Sequence, residues 1–239
     1  MRSTTLRPVR RPPRHRAALA LGLACGLLLS LGACSVLPQP EVVNTYVLTP
    51  PSSAPDAPSA PDDRASGAVK VLPSLAVMRP TASPGLDSRR VAVVEEERRL
   101  SSYPGVRWAA ATPDLWRDYL IDTLRADPRW AAVSSEEQRL LTDLELHSTL
   151  QAFQAETTAQ GLQVRIRVDA QLVDRVGRRV VATQRVDATQ ASEHNATALA
   201  SAFDRCAAQV ATRVKAWMQN AASLPPTAAP TPQTKESAQ

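Results

Sequence analysis

Residues 162–172 read Leu-Gln-Val-Arg-Ile-Arg-Val-Asp-Ala-Gln-Leu. Leu162, Val164, Ile166, Val168, Ala170 and Leu172 share one parity, and Gln163, Arg165, Arg167, Asp169 and Gln171 share the other. Successive side chains of a strand point to opposite faces, so this stretch is a strand with one face on a core and one face polar. Upstream, Leu144, Leu146, Leu150 and Ala152 alternate with Asp143, Glu145, His147 and Gln151. Downstream, Asp174-Arg175-Val176-Gly177 has turn composition, and Val180 to Ala191 returns. Three neighbours of this kind predict an antiparallel meander. From about Asn195 to Asn220 the period changes. Leu199, Phe203, Cys206, Val210, Val214 and Trp217 recur in steps of three and four, a helical stripe whose role is to cover the sheet.

Toward the N-terminus the elements are shorter. Glu41 to Thr49, Val69 to Met78 and Arg90 to Val94 read as strands, with a further short strand in Glu95 to Ser102. Thr112-Pro113-Asp114 reads as a helix start, with Thr112 as a hydroxyl cap, proline in the first turn and an acid at the positive end of the dipole. Leu115, Tyr119, Leu120 and Leu124 then face a core until about Ala126; Pro128 cannot continue the helix, and Trp130 to Ser134 reads as a strand. The fold class that follows is α+β in two layers: a mostly antiparallel sheet with two helices packed on it.

The first 33 residues read as an address. Six arginines without an acid precede an apolar run from Ala17 to Leu31, and Leu31-Gly32-Ala33-Cys34 ends it. This is the order of a secretory signal peptide, and the last four residues resemble a lipobox, with Cys34 as the lipidation site. The organisation expected is a signal peptide at 1–33, the lipidated Cys34 and a tether at 34–41, and a domain at 42–220. A Pro-rich loop at 50–67 and a tail at 221–239 are disordered by composition. Removing residues 1–33 changes the charge balance. The whole chain carries +5, but the remainder sets 22 basic against 23 acidic residues, a net charge of −1. Nucleic acid as a partner loses its electrostatic support. Cys206 is the one thiol left free, and its place on the helical stripe makes it a small buried hydrophobe.

No catalytic, cofactor-binding or metal-binding set is legible. Of eight glycines three lie within the first 33 residues, and no phosphate loop or nucleophile elbow is present. His147 falls on a polar strand face and His194 in a loop, both reading as solvated. Glu95-Glu96-Glu97-Arg98-Arg99 reads as a solvated charge run. Tyr103-Pro104-Gly105-Val106-Arg107-Trp108 reads either as a loop docked by Trp108 or as a contact patch. The polar strand faces, with Arg165, Arg167, Arg179 and Arg185, offer a surface to another periplasmic protein or to a second copy of the chain, and ordinary solvated faces look the same.

Four features together resemble one family. They are Tyr46-Val47-Leu48 after the Cys, and Arg79-Pro80 with Pro84-Gly85-Leu86-Asp87. The third is Tyr103 with Arg107-Trp108-Ala109 and Pro113 before a Leu-rich helix, and the fourth is Trp130-Ala131-Ala132-Val133 after it. Over roughly residues 42–219 the chain is similar to the ABC-type transport auxiliary lipoproteins, the lipoprotein component of paraquat-inducible, MCE-type systems. The resemblance implies a non-enzymatic envelope component beside an MCE-domain periplasmic protein and an ABC transporter, moving phospholipids or other hydrophobic molecules between membranes. Ser35 follows Cys34 where Asp would favour inner-membrane retention, so the expected location is the periplasmic face of the outer membrane. The competing expectation is an outer-membrane lipoprotein that regulates or assembles a cell-wall machine.

Overall fold

A computed structural model describes residues 43–50, 71–95 and 98–223. The expected signal peptide, Cys34 and its tether, nearly all of the Pro-rich loop, and the tail beyond Ser223 lie outside those residues.

The order is β1 (Asn44–Tyr46), β2 (Leu75–Val77), β3 (Thr81–Ala82), β4 (Arg90–Val94), β5 (Leu100–Trp108), α1 (Thr112–Arg125), β6 (Val133–Ser135), β7 (Leu144–Thr158), β8 (Gly161–Asp174), β9 (Arg179–Ser192) and α2 (Ala196–Ser223). Residues 162–172 fall in β8. Its apolar parity is buried throughout, from Leu162 to Leu172. It pairs antiparallel with β7 on one side and β9 on the other, the meander that alternation predicts.

The rest of the sheet departs from the antiparallel expectation. The far edge of β7 takes β2, β3 and β4 one after another along its length, all parallel to it: Leu75 opposite Leu144, Thr81 opposite Thr149, Ala92 opposite Gln154. β6 is parallel to β2 and β1 is parallel to β5, while β4 and β5 are antiparallel. The sheet is therefore mixed. Periodicity reports faces, not direction, and strands of two to five residues are too short to show a period. Parallel pairing needs a crossover, and the chain from β5 through α1 to β6 and β7 supplies one.

Both helices bury their stripes in the same core as the sheet's inner face. In α1, Leu115, Trp116, Tyr119, Leu120 and Leu124 are buried. Thr112 is not the cap: Ala111 holds that position without a side-chain bond, and the Thr112 hydroxyl donates to Ser88 O at 3.2 Å. In α2, Leu199, Phe203, Cys206, Val210 and Val214 are buried as expected, but Met218 rather than Trp217 completes the stripe, leaving the indole half-buried at the margin. Asn195 caps α2 by accepting the Ala198 N–H at 2.8 Å. The helix runs to Ser223 with Ala221 buried, so residues 221–223 belong to the fold and not to a tail.

Five aromatic rings tie the layers together. Phe153 of β7 stacks on Phe203 of α2 with centroids 5.3 Å apart, and meets Trp108 of β5 and Trp116 of α1 edge-on at 5.9 and 6.4 Å. Trp116 in turn stacks on Tyr119. Phe153 points inward because β7 carries a bulge between Leu150 and Ala152. The extra residue, Gln151, reverses the parity, so Ala152 stands opposite Arg167 on the other face of the sheet, buried there but outside the main core cluster.

Candidate functional site

Two of the motif residues, Arg79 and Asp87, meet Asp114, Arg117 and Glu136 in one ion-paired cluster. Arg79, just after β2, donates from Nη2 to Asp87 at 2.7 Å and from Nε to Asp114 at 2.7 Å. Its backbone N–H donates to Glu136 Oε1 at 3.0 Å. Glu136 also accepts from Arg117 of α1, at 3.3 Å, and Arg117 reaches Asp118 at 2.9 Å and Glu137 at 2.8 Å. Burial opposes the charge of Arg117, whose side chain is 7% exposed, but Asp118 and Glu137 outweigh it and hold the guanidinium more firmly protonated than in water. For Arg79 the bond to Asp87 is the largest cause in the same direction. The cluster fastens the β2–β3 turn to the start of α1 and to the short 3-10 turn at Glu136–Gln138. Its groups are paired with one another, save Glu136 Oε2, which is buried without a hydrogen-bond partner among the described residues.

Residues 103–108, read either as a loop docked by Trp108 or as a contact patch, are not a loop. They form the second half of β5, and Trp108 is buried against Phe203 with centroids 4.9 Å apart. Pro104 and Gly105, the latter at φ 65°, obscure the strand in sequence. An open cleft of about 530 Å³ lies at the outer end of β4 and β5, lined by Val93, Glu95, Arg99, Tyr103, Leu162 and His194 among others. Glu95 accepts from Ser101 Oγ at 2.6 Å and pairs with Arg99; the serine bond first, then the arginine, draws its carboxyl below the usual range. Glu95 is thus bonded and paired rather than freely solvated, while Glu96 and Glu97 lie outside the described residues.

The remaining predicted positions are spread apart. Arg165 and Arg167 both hold Asp187 at 2.6 Å, Arg185 holds Asp169, and Arg179 holds Asp174 at 3.3 Å. The arginine-bearing face is therefore laced internally. His147 bonds Glu145 at 2.9 Å on that face. Cys206 is fully buried with Sγ 3.2 Å from Ala188 O, and burial pushes its thiol up to about 11. Its reading as a small apolar residue holds. Asp204 was not singled out in sequence, being one acid on a mixed helix face. It accepts the Thr49 N–H at 3.0 Å, so that α2 clasps the segment leaving β1, and burial raises its carboxyl. Among the described residues no group of three or more His, Cys, Asp or Glu could hold a metal, and no helix is long and apolar enough to cross a membrane.

No curated protein matches the chain by sequence. A solved Xanthomonas campestris protein of the family model DUF330 has a TM-score of 0.62 at 23% identity, covering 74% of this chain and 96% of its own. A second solved structure, of an uncharacterized protein, has a TM-score of 0.56 at 14% identity, covering 74% and 99%. Both likenesses are of fold. A family model, described as the ABC-type transport auxiliary lipoprotein component, matches residues 46–215 and so takes in all four motif groups, from Tyr46 through Arg79 and Trp108 to Val133. That span is well over half of the sequence, and the chain belongs to the ABC-type transport auxiliary lipoprotein family.

Proposed function

We propose that the chain is a lipid-anchored accessory of an MCE-type ABC transport system that moves phospholipids or other hydrophobic molecules between the membranes of the envelope. The match to the auxiliary lipoprotein family over residues 46–215 carries this reading. The lipobox-like Leu31-Gly32-Ala33-Cys34 and the Ser35 that follows support an anchor on the periplasmic face of the outer membrane. The role is one of holding and positioning an MCE-domain partner, without chemistry: the charged clusters are paired among themselves, and the buried thiol is shielded.

Two measurements test it. In vivo crosslinking followed by purification of the native protein should recover an MCE-domain protein. Recovery of a peptidoglycan synthase in its place would assign the protein to a cell-wall machine. Cys34→Ala should abolish labelling by an alkyne fatty acid and shift the protein out of the outer-membrane fraction of a sucrose gradient. Multiple acyl chains anchor far more firmly than one, whose binding is marginal at about 0.8 kcal/mol per buried CH₂. Equal labelling of the wild type and the variant would remove Cys34 as the anchor.

A further inference from the structure

Two loops leave the same end of the β7–β8 pair. One, residues 139–143, leads into β7; the other, residues 174–178, joins β8 to β9. Leu144 stands opposite Asp174, and the Arg175 N–H donates to Asp143 O at 3.0 Å, so the loops are adjacent. Their apolar side chains have no core to enter. Leu141 is 84% and Val176 85% exposed, with Leu140 and Val180 beside them more than half exposed. Side chains of this kind scattered singly mean little, but here they crown one tip.

Arginines rim that tip. Across residues 139–143 and 174–180 there are four, Arg139, Arg175, Arg178 and Arg179, against two aspartates, a net charge of +2. Both aspartates are committed: Asp143 binds the Ser74 backbone and hydroxyl, and Asp174 holds the turn and Arg179. Arg175 reaches Glu145 at 3.3 Å, while the guanidinium groups of Arg139 and Arg178 have no hydrogen-bond or ion-pair partner among the described residues. These two also adopt the left-handed backbone, at φ 52° and 51°, where glycine or asparagine is the usual choice.

We propose that this tip docks on a bilayer containing anionic phospholipid, with Leu140, Leu141 and Val176 entering the headgroup boundary and Arg139 and Arg178 engaging phosphates. An aliphatic wedge with a cationic rim matches the two forces that hold peripheral segments on such a surface, apolar burial and attraction to negative charge. A protein partner would be expected to cover a broader face, and the broad polar face of β8 and β9 is already laced by its own ion pairs. The inference stands apart from the identity of the transport partner.

The full chain, purified from membranes and reconstituted in vesicles, provides the test. Leu141→Cys labels selectively with an environment-sensitive fluorophore because Cys206 is fully buried. In vesicles of phosphatidylcholine with phosphatidylglycerol, brominated acyl chains should quench the probe at 141 and leave one at Thr183→Cys, on exposed β9, untouched. Phosphatidylcholine alone, or high salt, should weaken the quenching. Arg139→Gln with Arg178→Gln should shift the docking equilibrium about tenfold or more, with an unchanged melting temperature. Equal water exposure at 141 and 183 in both kinds of vesicle overturns the proposal. Protection that appears only as copies crowd and crosslink through 141, or only when a second protein is added, overturns it in favour of protein contact.

Discussion

Phe203 illustrates what a single position contributes. It is fully buried, stacked on Phe153 and edge-on to Trp108, so it links α2 to two strands that are 45 residues apart in sequence. Phe203→Ala should cost about 3–5 kcal/mol, the transfer of the ring plus the cavity it leaves. Calorimetry should then show the transition about 10 °C lower. An unchanged transition would mean that the stripe packs on a partner instead. At this scale the sequence was legible where a residue had a periodic neighbour to confirm it. Phe203 and Cys206 could be placed because they repeat at helical spacing. Trp217 could not, because both 217 and 218 fit a 3.6-residue repeat, and the narrower Met218 is the one the core admits. Arg79 showed as part of a motif and Arg117 not at all; nothing local reveals that Glu136, 57 residues after Arg79, accepts from the backbone of the one and the side chain of the other.

Among elements, β7 shows both the reach and the limit of pattern reading. Its alternation is clear up to Leu150 and then breaks, because one extra residue in a bulge flips every later side chain. Deleting Gln151 should restore a continuous pleat in which Leu150 and Phe153 both stay inward and Ala152 stays on the other face. The near-ultraviolet circular dichroism of the aromatic cluster should be retained, and its collapse would show that Gln151 is not the surplus residue. β8 and α2 were readable because each is long and has one buried face. β5 was read only in its first residues, since Pro104 and Gly105 interrupt it and its exposure pattern carries no strict period. The parallel partners of β7 had no local signature at all: direction is decided by which strand is already there, a property of the assembled sheet.

For the molecule as a whole, a buried carboxylate joins the two helices' ends. Asp127, just past α1, accepts from Arg129 at 2.8 Å and lies 3.7 Å from Lys215 of α2. Arg129 first, with the α2 lysine adding, draws its carboxyl to about 2. The folded form is thus harder to protonate than the unfolded chain at 3.8. The stability Asp127 contributes, on the order of 1–2 kcal/mol, is complete above that value and is lost as pH falls toward 2. Urea titrations at pH 6 and pH 3 should show Asp127→Asn losing about half of its disadvantage at the lower pH. The placement of β7 bears on time rather than on stability. β2, β3 and β4 all lie before it in the chain yet pair along its edge, and β1 must wait for β5. A chain that emerges from its N-terminus cannot zip these strands until residue 158 has appeared, and closing loops that long makes assembly slow. Such a polypeptide stays threadable through a narrow pore for most of its length, then folds all at once on the far side.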